Sequence, residues 1–209
     1  MFMIIMVNGA PCTGKTTTAR TIHKFLQHEH GMNSTICERS TSNYENNMNL
    51  LGLVIYKWLH DSKKDQDNFL IIDSPAYNVF ERKDIFDMIN KEVDAGTIDK
   101  EDLMIVSVTM SRSNYFPIEH NSDKGHRPYT KKLLQDLMRV YQQPITREGF
   151  DLIYRVAKDA YIQPWHLFDI ITKTTGVDYS DFAKDPNLSV TTDETVEKED
   201  LVTEESADE

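Results

Sequence analysis

The sequence predicts an α/β fold, a parallel sheet covered by helices on both faces, and three observations carry that prediction. Residues 3–7 (MIIMV), 69–73 (FLIID) and 103–110 (LMIVSVTM) are short, almost continuous apolar runs, as in strands buried on both faces. Stretches with apolar residues at helical spacing lie between them. A glycine-bounded loop, residues 8–14, joins the first run to the first helical stretch. Strands alternating with helices in this way are the pattern of successive crossover units.

Taken in order, residues 3–7 form the first strand, and residues 15–27 a helix with Ala19, Ile22, Phe25 and Leu26 on one face. Residues 34–38 (STICE) read as a second strand. A helix over 49–60 follows, with Leu50, Leu51, Val54, Ile55, Trp58 and Leu59 on one stripe. Residues 69–73 are the third strand and 80–92 a charged helix. Residues 103–110 are the fourth strand, and 131–141 a helix with Leu133, Leu134, Leu137 and Met138 facing inward. The triplet Glu148-Gly149-Phe150 reads as a turn leading into a last strand. No internal repeat is present.

The chain has 209 residues, 39% hydrophobic and 27% charged, with a mean hydropathy of -0.51. These values suit a globular domain with a tail. No run approaches the ~18 apolar residues of a membrane span, and the opening segment lacks the basic start of a secretory signal. Two cysteines, Cys12 and Cys37, make no disulfide framework or zinc knuckle, so a reducing, cytoplasmic setting is expected. The net charge of -11 is concentrated at the end, where residues 185–209 carry ten acids and one base. That segment has no aromatic residue and only scattered apolar ones, so it is expected to be a disordered acidic tail behind a domain of residues 1–184. The body is nearly neutral, which leaves its local patches to decide what it binds.

Gly9-Ala10-Pro11-Cys12-Thr13-Gly14-Lys15-Thr16 fits G-x-x-x-x-G-K-[ST] at every fixed position, between an expected strand and an expected helix. Its glycines let the backbone wrap a phosphate while successive amides point inward. Lys15 neutralises the outer phosphates, Thr16 offers a hydroxyl to Mg2+, and the helix N-terminus, with Thr17 in its first turn, adds its dipole. The expected fold is therefore the three-layer P-loop NTPase fold, and the expected ligands are ATP and Mg2+. Cys12 reads as a small filler of the loop.

Such a loop establishes nucleotide binding only, so the reaction has to be read from other groups. Asp73 ends the third strand, where a doubly wound sheet lines its ligand crevice, and is placed to hold Mg2+ or to orient Thr16. Glu38 ends the second strand. It reads either as the acceptor's proton acceptor or as a surface ion-pair partner. Residues 111–130 are rich in polar groups, with two prolines and a glycine, and read as a lid over the nucleotide. Arg127 is its expected phosphate ligand, with Arg112, Lys124 and His126 as neighbours. Of the aromatic groups near the acceptor and lid segments (Tyr44, Tyr56, Trp58, Tyr77, Tyr115 and Phe116), Trp58 reads as core. Tyr115 and Phe116 are the better stacking candidates for a base, worth about 1–3 kcal/mol each.

Together the phosphate loop, FLIIDSPAYNVFERKDIF, and RPYTKKLLQDLMRVYQQP running into ITREGFDLI resemble the 5'-hydroxyl polynucleotide kinases and their P-loop relatives. Those relatives include tRNA kinases, zeta-toxin-like kinases and phage kinases acting on hydroxymethylated bases. The likeness spans roughly residues 3–160. It implies that Lys15 and Thr16 bind phosphate and metal, that Asp73 supports both, and that Arg127 is the lid arginine. The family places an aspartate base at the end of the second strand, where this chain has Glu38 followed by Arg39, and a Thr-Asn pair after the third, where it has Ser74-Pro75. The implied activity is an ATP-dependent kinase that phosphorylates a hydroxyl of a nucleic acid, either a polynucleotide 5' end or a hydroxymethylated base. The alternatives are a nucleoside or nucleotide kinase and, in another class, a nucleotide-binding regulatory module with no acceptor of its own.

Overall fold

All eight residues of Phe2–Gly9, strand β1, are buried, so the apolar run MIIMV lies at the centre of the sheet. The structure, a computed structural model, describes residues 1–29, 32–38, 44–73, 76–110, 129–156 and 164–175. The acidic tail, most of the expected lid and Arg127 fall outside those residues. The other strands are β2 (Asn33–Glu38), β3 (Asn68–Asp73), β4 (Leu103–Met110) and β5 (Leu152–Val156). They form one sheet in the order β2-β3-β1-β4-β5, and each neighbouring pair is parallel. This is the expected α/β architecture.

Alternation along β1 sorts the core into two layers. Phe2, Ile4 and Met6 pack with Leu51, Ile55, Trp58 and Leu59 of α2 (Tyr44–Asp61) and with Ile85, Phe86 and Ile89 of α3 (Val79–Asp94). Met3, Ile5 and Val7 pack with Ala19 and Ile22 of α1 (Lys15–Lys24) and, further along, with Leu167, Ile170 and Ile171 of Pro164–Thr175. Each fully buried aliphatic side chain contributes about 1.5–3 kcal/mol, so β1 is fixed by packing on both sides. Among the described residues no helix is long and apolar enough to cross a membrane.

Four details differ from the sequence reading. The α-helical turns of α1 end at Lys24, and Phe25–Glu29 continue as a π turn that accompanies burial of both Phe25 and Leu26. Leu50 on α2 is 54% exposed, because a stripe holding both Leu50 and Leu51 is wider than the sheet can cover. Leu133 is likewise exposed on α4 (Lys131–Val140), where Leu134 is the buried residue. Pro164–Thr175, hereafter α5, is a further helix on the α1 face.

The segment between α4 and β5 is built around one buried ion pair. Arg82 on α3 has no exposed surface, and its Nε and Nη2 donate to Glu148 Oε2 and Oε1 at 2.6 and 2.9 Å. Its Nη1 donates to the carbonyls of Gln142 and Ala76, at 2.8 and 3.3 Å. Glu148 Oε1 also accepts from the Ile145 N–H at 3.0 Å. Gly149 follows at φ +110°, and a Cβ there would lie 3.3 Å from Phe86 Cε1. Phe150 then stacks edge-on against Phe86, with centroids 4.9 Å apart. Asp151 closes the turn by accepting from the Ile105 N–H at 2.7 Å and donating its own N–H to the Ile105 carbonyl. At the other end of the pair, Asn78 caps α3 by accepting from the Glu81 N–H at 3.0 Å.

Candidate nucleotide-binding site

Because all the strands run one way, β1, β2, β3 and β4 end at the same edge of the sheet, and their ends supply the site. Here the chain leaves β1 at Gly9. A Cβ on Gly9 would come within 2.6 Å of Thr13 Oγ1 and 3.1 Å of Met110 Cβ, so the close approach of loop, β1 and β4 requires glycine. Cys12 (φ +59°) and Gly14 (φ +88°) take left-handed conformations, and Thr13 Oγ1 donates back to the Ala10 carbonyl at 2.8 Å. Left-handed residues interspersed along a loop turn successive amides into a concavity that accepts an anion. The first helical residue is Lys15, so the positive end of the α1 dipole meets the same concavity. Thr17 lies exposed in that first turn. Beneath the loop, buried Asn8 Nδ2 donates to Ser107 Oγ at 3.0 Å, which joins the ends of β1 and β4.

Lys15 Nζ donates to the carbonyls of Gly9 and Ala10 at 3.0 and 2.8 Å, and lies 5.4 Å from the centroid of the Tyr77 ring. Thr16 Oγ1 donates to Asp73 Oδ2 at 2.6 Å. Asp73 is buried at the end of β3, and burial is the main cause that pushes its carboxyl above the usual aspartate range. The Thr16 bond and the Lys15 charge pull the other way. Glu38 is its register partner on β2. Arg20 on α1 grips Glu38 in a two-point fork, Nε to Oε1 at 2.5 Å and Nη2 to Oε2 at 2.7 Å. That bond, before any other cause, holds the Glu38 carboxyl below the usual glutamate range.

The structure thus gathers Gly9 to Thr17, Asp73 and Glu38 at one edge. Arg127, with Arg112, Lys124, His126, Tyr115 and Phe116, lies outside the described residues, as do Arg39, Ser74 and Pro75. Arg20 was not foreseen. It stands five residues after Lys15, and its partner is eighteen residues away on another element, a pairing that local spacing does not announce. A cleft of about 390 Å3 between β2 and α2, lined by Asn33, Thr35, Val54, Lys57 and Trp58, opens at the start of β2, away from these groups.

The donor set fits the ligands expected. A hydroxyl and a carboxylate oxygen 2.6 Å apart suit Mg2+, which takes one or two protein oxygens and completes its shell with water and phosphate. Among the described residues no group of three or more His, Cys, Asp or Glu could hold a metal by itself.

Asp73 also yields a pH prediction. Its folded pKa lies above the unfolded value of 3.8, so between those values the folded state binds more protons and stability falls as pH rises. The cost is greatest at pH values above the folded pKa. Asp73→Asn is therefore expected to raise the melting temperature of the metal-free chain at pH 7, by an amount that shrinks toward pH 4. The same change is expected to abolish the extra stabilisation by Mg2+ with ATP. Thermal melts across that pH range check both; a variant less stable than the parent at pH 7 without metal contradicts the argument.

A family model described as chromatin associated protein KTI12 matches residues 1–153, from β1 into β5. The chain belongs to the KTI12 family. The family shown is thus KTI12, and the resemblance read from the motifs, to the 5'-hydroxyl polynucleotide kinases, is met in the fold shared with a structure described as an RNA kinase. Among solved structures, Chaetomium thermophilum Kti12 in complex with ADP-AlF3 is similar at 18% identity, covering 82% of this chain and 98% of that one, with a TM-score of 0.60. A fungal RNA kinase is similar at 13% identity, covering 90% and 92%, with a TM-score of 0.58. The Mycobacterium tuberculosis APS kinase CysC, in complex with AMPPNP and APS, is similar at 14% identity, covering 81% and 96%, with a TM-score of 0.51. At these identities the likeness shows a shared fold. Comparison with curated proteins found no match.

Proposed function

We propose that this KTI12-family chain binds ATP with Mg2+ and transfers the γ-phosphate to a hydroxyl of a nucleic acid or nucleotide-like acceptor. The observation that carries the reading is the Lys15, Thr16 and Asp73 constellation on a loop of phosphate-binding shape. Phosphoryl transfer asks the protein mainly to position groups and to neutralise charge on the transferring oxygens. Lys15 and the loop amides take the phosphates, and Thr16 with Asp73 hold Mg2+, which when bound would screen the outer phosphates. Arg127 is the phosphate ligand proposed from the segment 111–130. The solved relatives include one bound to ADP-AlF3 and one described as an RNA kinase, which agrees with a nucleotide site and an acceptor of that class. Residues 1–184 are the proposed kinase domain, followed by an acidic tail.

One observation favours a second reading. Glu38, the candidate proton acceptor, is committed to Arg20 and held in its charged form, which makes it a weaker base. A nucleotide-dependent binding module, turning over ATP without a hydroxyl acceptor, fits that arrangement. The separating experiment supplies γ-labelled ATP with 5'-hydroxyl DNA and RNA oligonucleotides, hydroxymethyl-base DNA and free nucleosides, and follows both transfer and phosphate release. Transfer to any of them supports the kinase. Release to water alone supports the module, and neither binding nor turnover overturns both.

A further inference from the structure

Thr16 and Arg20 lie one turn apart on α1, so their side chains share a face of the helix. Each meets an acid at the end of a strand: Thr16 donates to Asp73 on β3, and Arg20 to Glu38 on β2. Asp73 and Glu38 are register partners on neighbouring strands, which run about 4.8 Å apart. The two contacts are thus adjacent rungs between α1 and the sheet, and they differ in kind. Asp73 is buried, and its rung is where Mg2+ is expected. The side chains of Arg20 and Glu38 are 63% and 39% exposed, so their rung is open to solvent. An exposed pair contributes little to folding, because water solvates each partner well once they part. Yet this pair is a two-point fork, and it occupies the candidate proton acceptor.

We propose that Arg20 is a latch on Glu38 that the acceptor opens: a phosphate carried by the acceptor takes the guanidinium, and the released carboxylate accepts the proton of the acceptor hydroxyl. The proposal rests on the kinase reading above. A phosphate offers the fork two oxygens, as Glu38 does, and more negative charge, so the guanidinium changes partner without being left unpaired. Opening the fork removes the main cause that holds Glu38 below the usual glutamate range, and the freed carboxylate is the stronger base. In the step that follows, the acceptor oxygen bonds to the γ-phosphorus while its proton passes to a Glu38 oxygen. The bond from the γ-phosphorus to the bridging oxygen breaks, and its electron pair stays on ADP. With no acceptor present the fork is closed, so Glu38 does not activate water and ATP is spared. The commitment of Glu38 to Arg20 is then the resting state of a kinase.

The test supplies γ-labelled ATP with a nucleoside, with the same nucleoside as its 3'-phosphate, with a 5'-hydroxyl oligonucleotide, and with no acceptor. Parent chain, Arg20→Ala, Glu38→Gln and the double variant are compared, and ATP affinity and melting temperature are recorded alongside. The parent is expected to prefer the phosphate-bearing acceptors by about tenfold or more in kcat/KM, the scale of one charged hydrogen-bonded contact. Arg20→Ala is expected to lose that preference through KM, and to release phosphate to water about threefold faster than the parent when no acceptor is present, because its base is unlatched. Glu38→Gln is expected to lower kcat about a hundredfold on every acceptor while KM for the phosphate-bearing ones falls, since the guanidinium has lost its competitor. The double variant is expected to show no gain in release to water. An Arg20→Ala protein that keeps the parent's preference, loses equally on all acceptors or binds ATP more weakly overturns the proposal and leaves the kinase reading standing. So does a parent with no preference, or a Glu38→Gln protein that matches it. A parent that transfers to no acceptor overturns the kinase reading and this inference with it.

Discussion

Replacing Arg82 by Leu is expected to destabilise the chain by about 3–5 kcal/mol, the range for removing one member of a buried ion pair. The guanidinium has no exposed surface, and its donors reach Glu148 through both oxygens, the Ala76 and Gln142 carbonyls, and the Gln143 carbonyl at 3.4 Å. Taking it away leaves the Glu148 carboxylate buried without its counter-charge and removes a donor from three carbonyls. For a chain of this length the loss corresponds to a fall in melting temperature of roughly 6–20 °C. Arg82→Lys should fall in the same direction, because a single ammonium cannot form the two-point fork. The paired change Arg82→Leu with Glu148→Leu should recover part of the loss, since it removes both charges together. Thermal and urea unfolding of the four proteins measures this. A loss below about 1 kcal/mol for Arg82→Leu, the scale of an exposed pair, would show that the pair does not hold the segment after α4 in place.

What the sequence disclosed follows from how local each signal is. The strands at residues 3–7, 69–73 and 103–110 were legible because strands buried on both faces leave continuous apolar runs, which few other elements produce in so short a span. The phosphate loop was legible because its eight residues lie together, and its left-handed Gly14 is a local demand of the backbone. Thr16 and Asp73 lie fifty-seven residues apart, yet each sits at the end of a recognisable element, and parallel strands bring such ends to one edge. The bond between them is a consequence of topology. Arg20 with Glu38 and Arg82 with Glu148 were not legible as pairs. A charge on a helix has many acids within reach of its fork, and only the packed chain selects one. Arg82, with Asn78, belongs to the stretch after Asp73 that carries the family resemblance, but helical spacing alone makes it one more charge on a helix rich in them, whereas in the fold it has no exposed surface. Tyr77 was legible as an aromatic group near the site, but its contact with Lys15 depends on the lysine folding back along its own loop.

Lys15→Ala is expected to cost about 10²–10³-fold in ATP turnover, the range for removing one preorganised group that meets developing charge. In the structure the ammonium is held at the mouth of the loop by the Gly9 and Ala10 carbonyls. Its charge also offsets part of the burial cost on Asp73, so the variant should bind Mg2+ with ATP more weakly as well as turn it over more slowly. The fold should persist, because the Lys15 side chain is only partly buried and its hydrogen bonds lie within the loop. The decisive measurement is a calorimetric titration of the parent and of Lys15→Ala with ATP in the presence of Mg2+. A parent that binds one ATP per chain, and a folded Lys15→Ala protein that binds at least tenfold more weakly, is the result the geometry requires. A folded Lys15→Ala protein that matches the parent in affinity would contradict it.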